Sequence, residues 1–178
     1  MKNLTKAFTL IELLVVIAIL GILATLVVLA INPAEAQRKG RDATRLSDMA
    51  TVRKAIDLSI ADGETLLGTT AIPYTGNSAG SRDAASAANY VGMDVSKYLS
   101  VLPLDPRQSA TTVTVLSDGT TQIAAGGMVY SFSANGNTYE LNAYLESTDN
   151  AAVATNDGGT SATVYEIGTN PGLTLISP

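Results

Sequence analysis

Leu13 to Ile31 runs for nineteen residues without a charge. At 1.5 Å per residue a helix of this length spans roughly 28 Å, close to the ~30 Å hydrocarbon core of a bilayer. The stretch is a membrane-spanning candidate, and the rest of the fold has to accommodate it. Gly21, Ala24 and Thr25 inside it are small. In a membrane helix such residues let a second helix approach closely. One carboxylate, Glu12, stands at the head of the run. At that depth its cost is below the ~2.5–3.5 kcal/mol of a charge at the membrane centre, yet it is still a cost, so the carboxylate calls for a partner.

Charge divides the chain. Residues 1–54 hold eight Lys/Arg against four Asp/Glu, a net +4, whereas residues 55–178 hold three against twelve, a net −9. A basic, apolar front and an acidic, polar back describe a membrane-associated stem bearing a soluble head. The acidic head argues against nucleic-acid binding, which needs clustered Lys and Arg for phosphate contacts. The chain has no cysteine and no histidine. Disulfides and thiolate metal ligands are therefore excluded, and the commonest general base and metal ligand are missing. No carboxylate-pair or Ser–Lys spacing suggests a hydrolase, so no enzymatic activity is expected.

Three readings of the front end compete. A plain single-pass anchor explains the apolar run and leaves Glu12 without a role. A secretory signal peptide has a basic start in Lys2 and Lys6 and a small-residue site at Ala34–Glu35–Ala36, and it would place the mature start at Gln37. Its usual apolar core is only about 7–15 residues long, shorter than this one. The third reading rests on the stretch "KAFTLIELLVVIAILGILA", Lys6 to Ala24. It resembles the start of type IV pilins and of the pseudopilins of type II secretion.

That resemblance implies a leader over residues 1–7, cleaved between Ala7 and Phe8 by a prepilin peptidase that also N-methylates Phe8. The family's usual residue before the cut is glycine, where this chain has Ala7. Glu12 falls on the family's glutamate, which pairs with the free amine of a neighbouring subunit's first residue. Such pairing is physically sensible, because two charges in a low-dielectric bundle interact strongly while each alone is unfavourable. The implied partners are further copies of the chain, other pilins or pseudopilins, the peptidase/methyltransferase, an inner-membrane assembly platform and, before assembly, the bilayer. Implied too is a bacterial inner-membrane precursor with its head outside the cytoplasm, then an extracytoplasmic filament. Adhesion or twitching, DNA uptake and type II secretion all remain open, although Glu12 argues against the minor tip subunits that lack it. The competing class is a membrane-tethered calcium- or ligand-binding head that never polymerises. One observation pulls against the topology: Arg38, Lys39, Arg41 and Arg45 follow the span, and the positive-inside rule draws such residues to the cytoplasm.

Beyond the membrane run, Pro33 removes a backbone donor and crowds the preceding turn, so a helix kink is expected there. Leu46, Met49, Val52, Ile56 and Ile60 then recur at spacings of 3, 3, 4 and 4. They form the apolar stripe of an amphipathic helix, with Arg41, Arg45, Asp48 and Asp57 off it. Asp62–Gly63 closes this helix. The spine is thus one nearly continuous helix, with an apolar half over residues 8–31 and an amphipathic half over 32–62.

Residues 63–178 make the head, with a loop region over 63–110 and a β-sheet with a C-terminal loop over 111–178. Glu64 to Asn89 is rich in Gly, Ala, Ser and Thr and reads as surface loop, with a short helical turn at Asp83–Ala88. "SKYLSVLPLDP", Ser96 to Pro106, resembles a stretch of pilin-like heads in which a short helix ends at Leu-Pro. Thr111–Leu116, Met128–Ser133, Thr138–Glu146 and Thr163–Gly168 read as strands. Asp118–Gly119 and Asn170–Gly172 mark turns, and Asn135–Gly136 marks a hairpin. Along the long strand Tyr139, Leu141, Ala143 and Leu145 point one way, toward the spine's stripe. Glu140, Asn142, Tyr144 and Glu146 point the other way, toward solvent or a neighbour. The expected fold is α+β and pilin-like, an antiparallel sheet laid on the C-terminal half of a long helix.

In "STDNAAVATNDGG", Ser147 to Gly159, the residues Asp149, Asn150 and Asp157 are candidate Ca²⁺ ligands. Major pseudopilins carry calcium in a comparable loop, but the spacing here matches no EF-hand, and Asx–Gly loops also form with no metal. No other cofactor is expected.

Overall fold

Thr9 starts the first helix, α1 (Leu10–Ile31). Its hydroxyl accepts the backbone N–H of Glu12 at 3.3 Å, and the Glu12 carboxylate takes the backbone N–H of Thr9 at 2.9 Å. This reciprocal capping box satisfies two of the donors that every helix start leaves open. The computed structural model describes residues 8–66, 74–79, 81–86, 88–108, 112–115, 120–136 and 138–173. The chain falls into two units, residues 1–37 and 38–178.

In the first unit α1 is apolar all round. Leu10–Val28 is the one helix among the described residues long and apolar enough to cross a membrane, and none of it is buried. Thr25 returns its hydroxyl proton to the carbonyl of Gly21 at 2.9 Å, so the one hydroxyl in the middle of the run has an internal partner. The expected continuous rod is broken. Asn32 closes α1 in the left-handed region, φ 43° and ψ 75°, and a second helix, α2 (Pro33–Ala61), begins at once. A residue before proline is disfavoured in the helical region, and asparagine tolerates left-handed geometry. Pro33 sits at the first helical position, where its missing N–H costs nothing. The Asn32 side chain then caps α2 by accepting from the Glu35 N–H at 3.3 Å.

The second unit is built on α2. Met49, Val52 and Ile56 are fully buried, while Leu46 and Ile60 are half-buried, so the stripe is core as its spacing implies. Arg45, expected off the stripe, is fully buried, and so is Asp42. At the C-terminus the Glu64 N–H reaches the Ser59 carbonyl and the Gly63 N–H the Ile60 carbonyl, both at 3.0 Å. This pairing needs a left-handed residue, which Gly63 supplies at φ 102°.

Four strands form the main sheet: β1 (Tyr74–Asn77), β4 (Ser131–Asn135), β5 (Thr138–Tyr144) and β6 (Val164–Gly168), antiparallel in the order β1-β4-β5-β6. A small hairpin, β2 (Val113–Thr114) with β3 (Gln122–Ile123), lies apart. Asn135–Gly136 turns β4 into β5, with Asn135 opposite Thr138. The turn expected at Asp118–Gly119 lies outside the described residues. Phe132, Leu141 and Ile167 share one face, as do Ala134 and Tyr139. Together with Met49, Val52, Ala55 and Ile56 they make the principal core.

Three expectations for the head are corrected. The small-residue stretch over 64–89 is not all surface loop. It supplies edge strand β1 and the buried Ala84, because backbone pairing with β4 needs no large side chain. The helix expected before Leu102–Pro103 is a single turn, closed by the Leu99 N–H on the Val95 carbonyl at 2.9 Å. The second face of β5 does not meet solvent: Glu140, Asn142, Tyr144 and Glu146 are all buried. Val113, Val115, Ile123 and Met128 of the small hairpin region cover its Tyr144–Val164 end. Two short helices after β5, a 3₁₀ turn (Thr148–Asn150) and α3 (Ala151–Thr155), were not expected at all.

Truncating the core side of α2 should unfold the head. Ile56→Ala is expected to lower unfolding free energy by about 2–5 kcal/mol in urea denaturation of the full chain in detergent. Leu58→Ala, two positions away on the outer side, is expected to change it by no more than about 0.5 kcal/mol.

Candidate functional site

Glu12 combines two demands that usually conflict. It is a carboxylate on an otherwise apolar helix, and it lies in the first turn, where the helix dipole favours negative charge. Thr9 gives it two hydrogen bonds, from the backbone N–H at 2.9 Å and from the hydroxyl at 2.7 Å. Both land on one oxygen, Oε2. The charge is therefore partly satisfied within its own chain, a role that the apolar pattern alone did not suggest. The signal was present, since Thr9-Leu10-Ile11-Glu12 has the spacing of a capping box. Phe8, just ahead, is 83% exposed. Ala7 and the leader lie outside the described residues. The arrangement presents an uncovered apolar cylinder with a single acid at one end.

The second unit holds a buried ionic cluster that the sequence reading missed. The Arg45 guanidinium forks onto Asp105, Nε to Oδ2 at 2.6 Å and Nη2 to Oδ1 at 2.9 Å. Its Nη1 reaches Asp42 at 2.8 Å, and Nη2 also reaches Glu146 at 2.8 Å. Arg41 binds both oxygens of Glu146, at 2.9 and 2.7 Å. Asp42 in turn accepts the backbone N–H groups of Glu146 and Ser147 and the amide of Asn150. The cluster thus ties α2 to the end of β5, to the Leu-Pro-Leu-Asp-Pro stretch and to the 3₁₀ turn. Burial works against the charge on Arg45, but Asp105 and Glu146 outweigh it and hold its pKa above the ordinary value. Burial likewise opposes the charge on Glu146, and the two guanidinium groups hold its carboxyl below the ordinary value. Two tyrosines reinforce the same joint: Tyr130 donates to Asp48 at 2.8 Å and Tyr139 to Asp57 at 2.5 Å.

The loop candidates for calcium are committed elsewhere. Asp149 pairs with Lys39. Asn150 donates to Asp42 at 2.8 Å. Asp157 accepts the N–H of Gly159 at 2.8 Å and that of Glu166 at 2.7 Å. Among the described residues no group of three or more His, Cys, Asp or Glu side chains is placed to hold a metal.

An apolar helix headed by a capped carboxylate, followed by a helix and an antiparallel sheet, defines a pilin-like α+β chain. Residues 2–31 match the family model described as the prokaryotic N-terminal methylation motif. A type IV major fimbrial protein FimA of Dichelobacter nodosus is 45% identical over 64 residues, 36% of this chain and 39% of that protein. A fimbrial protein of the same organism matches over the same shares, and another FimA is 42% identical over 76 residues, 43% of this chain and 45% of its own. The chain therefore spans well under half the length of the curated relatives it matches. No solved structure matches it. Over this N-terminal segment the chain is similar to type IV fimbrial proteins.

Removing the central cation should leave three acids without their shared partner. Arg45→Met is expected to cost about 3–5 kcal/mol in denaturant unfolding, the effect of breaking a buried ion pair from one side. The parent head should also weaken in acid. Glu146 has a folded pKa below its ordinary 4.5, so its contribution is complete above that value and is lost as pH falls through the lower folded value. Thermal unfolding followed from pH 7 down to pH 3 checks the sign.

Proposed function

We propose that this chain is a structural subunit of a type IV pilus-like filament, made as a membrane-anchored precursor and polymerised through α1. The observation that carries the reading is the uncovered apolar surface of α1 with Glu12 at its head. An exposed apolar patch of this size needs a cover. Lipid covers it in the precursor, and the helices of neighbouring copies cover it in the filament. Cleavage between Ala7 and Phe8 by the peptidase/methyltransferase leaves a new amine at Phe8. Glu12 of one copy meets the amine of the next, so that register between subunits is set by a charge pair in a dry bundle. The fimbrial relatives favour a pilus over a secretion pseudopilus.

The reading places the membrane precursor with its head outside the cytoplasm, delivered to an inner-membrane assembly platform. The cations that follow the span are compatible with it. Arg45 is buried in the head, Arg41 is bound to Glu146 and Lys39 to Asp149. They serve the folded head and are not a free basic collar on the cytoplasmic side.

Glu12→Gln tests the assembly role apart from helix capping, because glutamine preserves the capping box and removes the charge. Filament yield, counted by electron microscopy of sheared preparations, is expected to fall at least about tenfold, the effect of 1.4 kcal/mol at the joint. Assembly equal to that of the parent chain for both Glu12→Gln and Glu12→Ala would overturn the reading.

A further inference from the structure

The outer face of the β5–β6 ladder carries a second buried polar group, unlike the Arg45 cluster in one respect: among the described residues no ion pair reaches it. Asn142 stands directly opposite Glu166, and Glu140 lies two residues along β5 on the same face. Directly opposite side chains have Cβ atoms about 4.5–5.5 Å apart and diagonal ones about 7–8 Å, so the three polar side chains gather on one patch of the sheet. The three side chains are at most 2% exposed. Both carboxylate oxygens of Glu140 and the amide oxygen of Asn142 have no hydrogen-bond partner. The Asn142 side chain, the Leu173 backbone and the Glu166 side chain all lie near the Glu140 carboxyl. A buried acceptor left open is unfavourable, the more so when charged.

We propose that Glu140, Asn142 and Glu166 hold a divalent hard cation of the Ca²⁺ type beneath the loop over residues 157–161. The donor set is all oxygen, which suits a hard ion. Glu140 offers two oxygens and Asn142 one. Glu166 adds a carboxylate whose Oε2 accepts the Ser161 N–H at 2.6 Å. Water and backbone carbonyls complete the six to eight ligands that Ca²⁺ takes. The loop is shaped to close over the group. A Cβ on Gly159 would lie 2.1 Å from Glu166 Oε2, so only glycine lets the backbone cover this carboxylate. Asp157 anchors that loop on the Glu166 N–H at 2.7 Å and adds a third negative charge nearby. The site is distinct from the Asp149–Asn150 part of the loop and does not depend on the filament reading.

The full chain, purified in detergent and stripped with EDTA, is titrated with CaCl₂ and with MgCl₂ while thermal unfolding is followed. Saturating Ca²⁺ is expected to raise Tm by about 4 °C or more, with a smaller rise for Mg²⁺. Glu140→Gln and Glu166→Gln are each expected to abolish the Ca²⁺ shift and to leave Tm in EDTA at or above that of the parent. Tyrosine-sensitised Tb³⁺ emission tests the same place without disturbing the ligands. Tyr144 lies two residues from Asn142 on the same face, and Tyr139 and Tyr165 adjoin Glu140 and Glu166, so Tb³⁺ emission should be displaced by Ca²⁺ in the parent and be weakened in Tyr144→Phe. No Tm shift with either ion in the parent overturns the proposal and assigns the buried pair a shared proton. An equal Ca²⁺ shift in the variants, or emission undiminished in Tyr144→Phe, overturns it by placing the ion elsewhere.

Discussion

Among the described residues α1 is exposed along its length. Its described apolar side chains are exposed, from Leu10 to Val28. A helix that is apolar on every face gains nothing from water and has no polar side to turn outward. Two consequences follow. The helix needs an environment supplied from outside, and the rest of the chain has to fold with a core of its own. The second unit does so, drawing both of its apolar clusters from residues after Arg38. Asn32 and Pro33 lie between the two environments. One residue ends a helix suited to hydrocarbon and caps another suited to water.

The head meets the same problem of burial with polar groups. α2 offers a narrow apolar stripe, and the sheet covers more of it than the stripe alone can fill. Arg45 and Asp42 complete the buried face, and their cost is offset because each charge has a partner held in place by backbone. The fork of Arg45 onto Asp105 is what arginine does and lysine does not, with planar, bidentate geometry. Three segments far apart in sequence converge on one guanidinium. By contrast, the carboxylates on the outer face of β5 and β6 are buried with no such partner among the described residues. The head thus contains two buried acidic groups, one balanced within the chain and one left short of positive charge.

Patterns that depend on side chains were legible in the sequence. The apolar run, the stripe through Met49, Val52 and Ile56, the stop at Gly63, the Asn135–Gly136 hairpin and strands β5 and β6 all follow from periodicity or turn chemistry. Features that depend on the backbone or on distant partners were not. Strand β1 is Tyr-Thr-Gly-Asn and pairs through its main chain, so composition read it as loop. The fate of Arg45 turned on Asp105 and Glu146, sixty and more positions away. The outer face of β5 alternates as a half-exposed strand would, and only the covering segments over 113–128 and 157–161 bury it. At the N-terminus the cost of Glu12 follows from the apolar run around it, whereas its partner Thr9 follows only from the capping-box spacing.

The central claim is that this N-terminal stretch is at once an address for processing and a joint for assembly, and the amine at Phe8 exists only after a cut. The most direct test is N-terminal sequencing with intact mass of the chain as it accumulates in its host membrane. The account predicts a chain that begins with N-methylated Phe8. A chain that begins at Met1 or at Gln37 would contradict it.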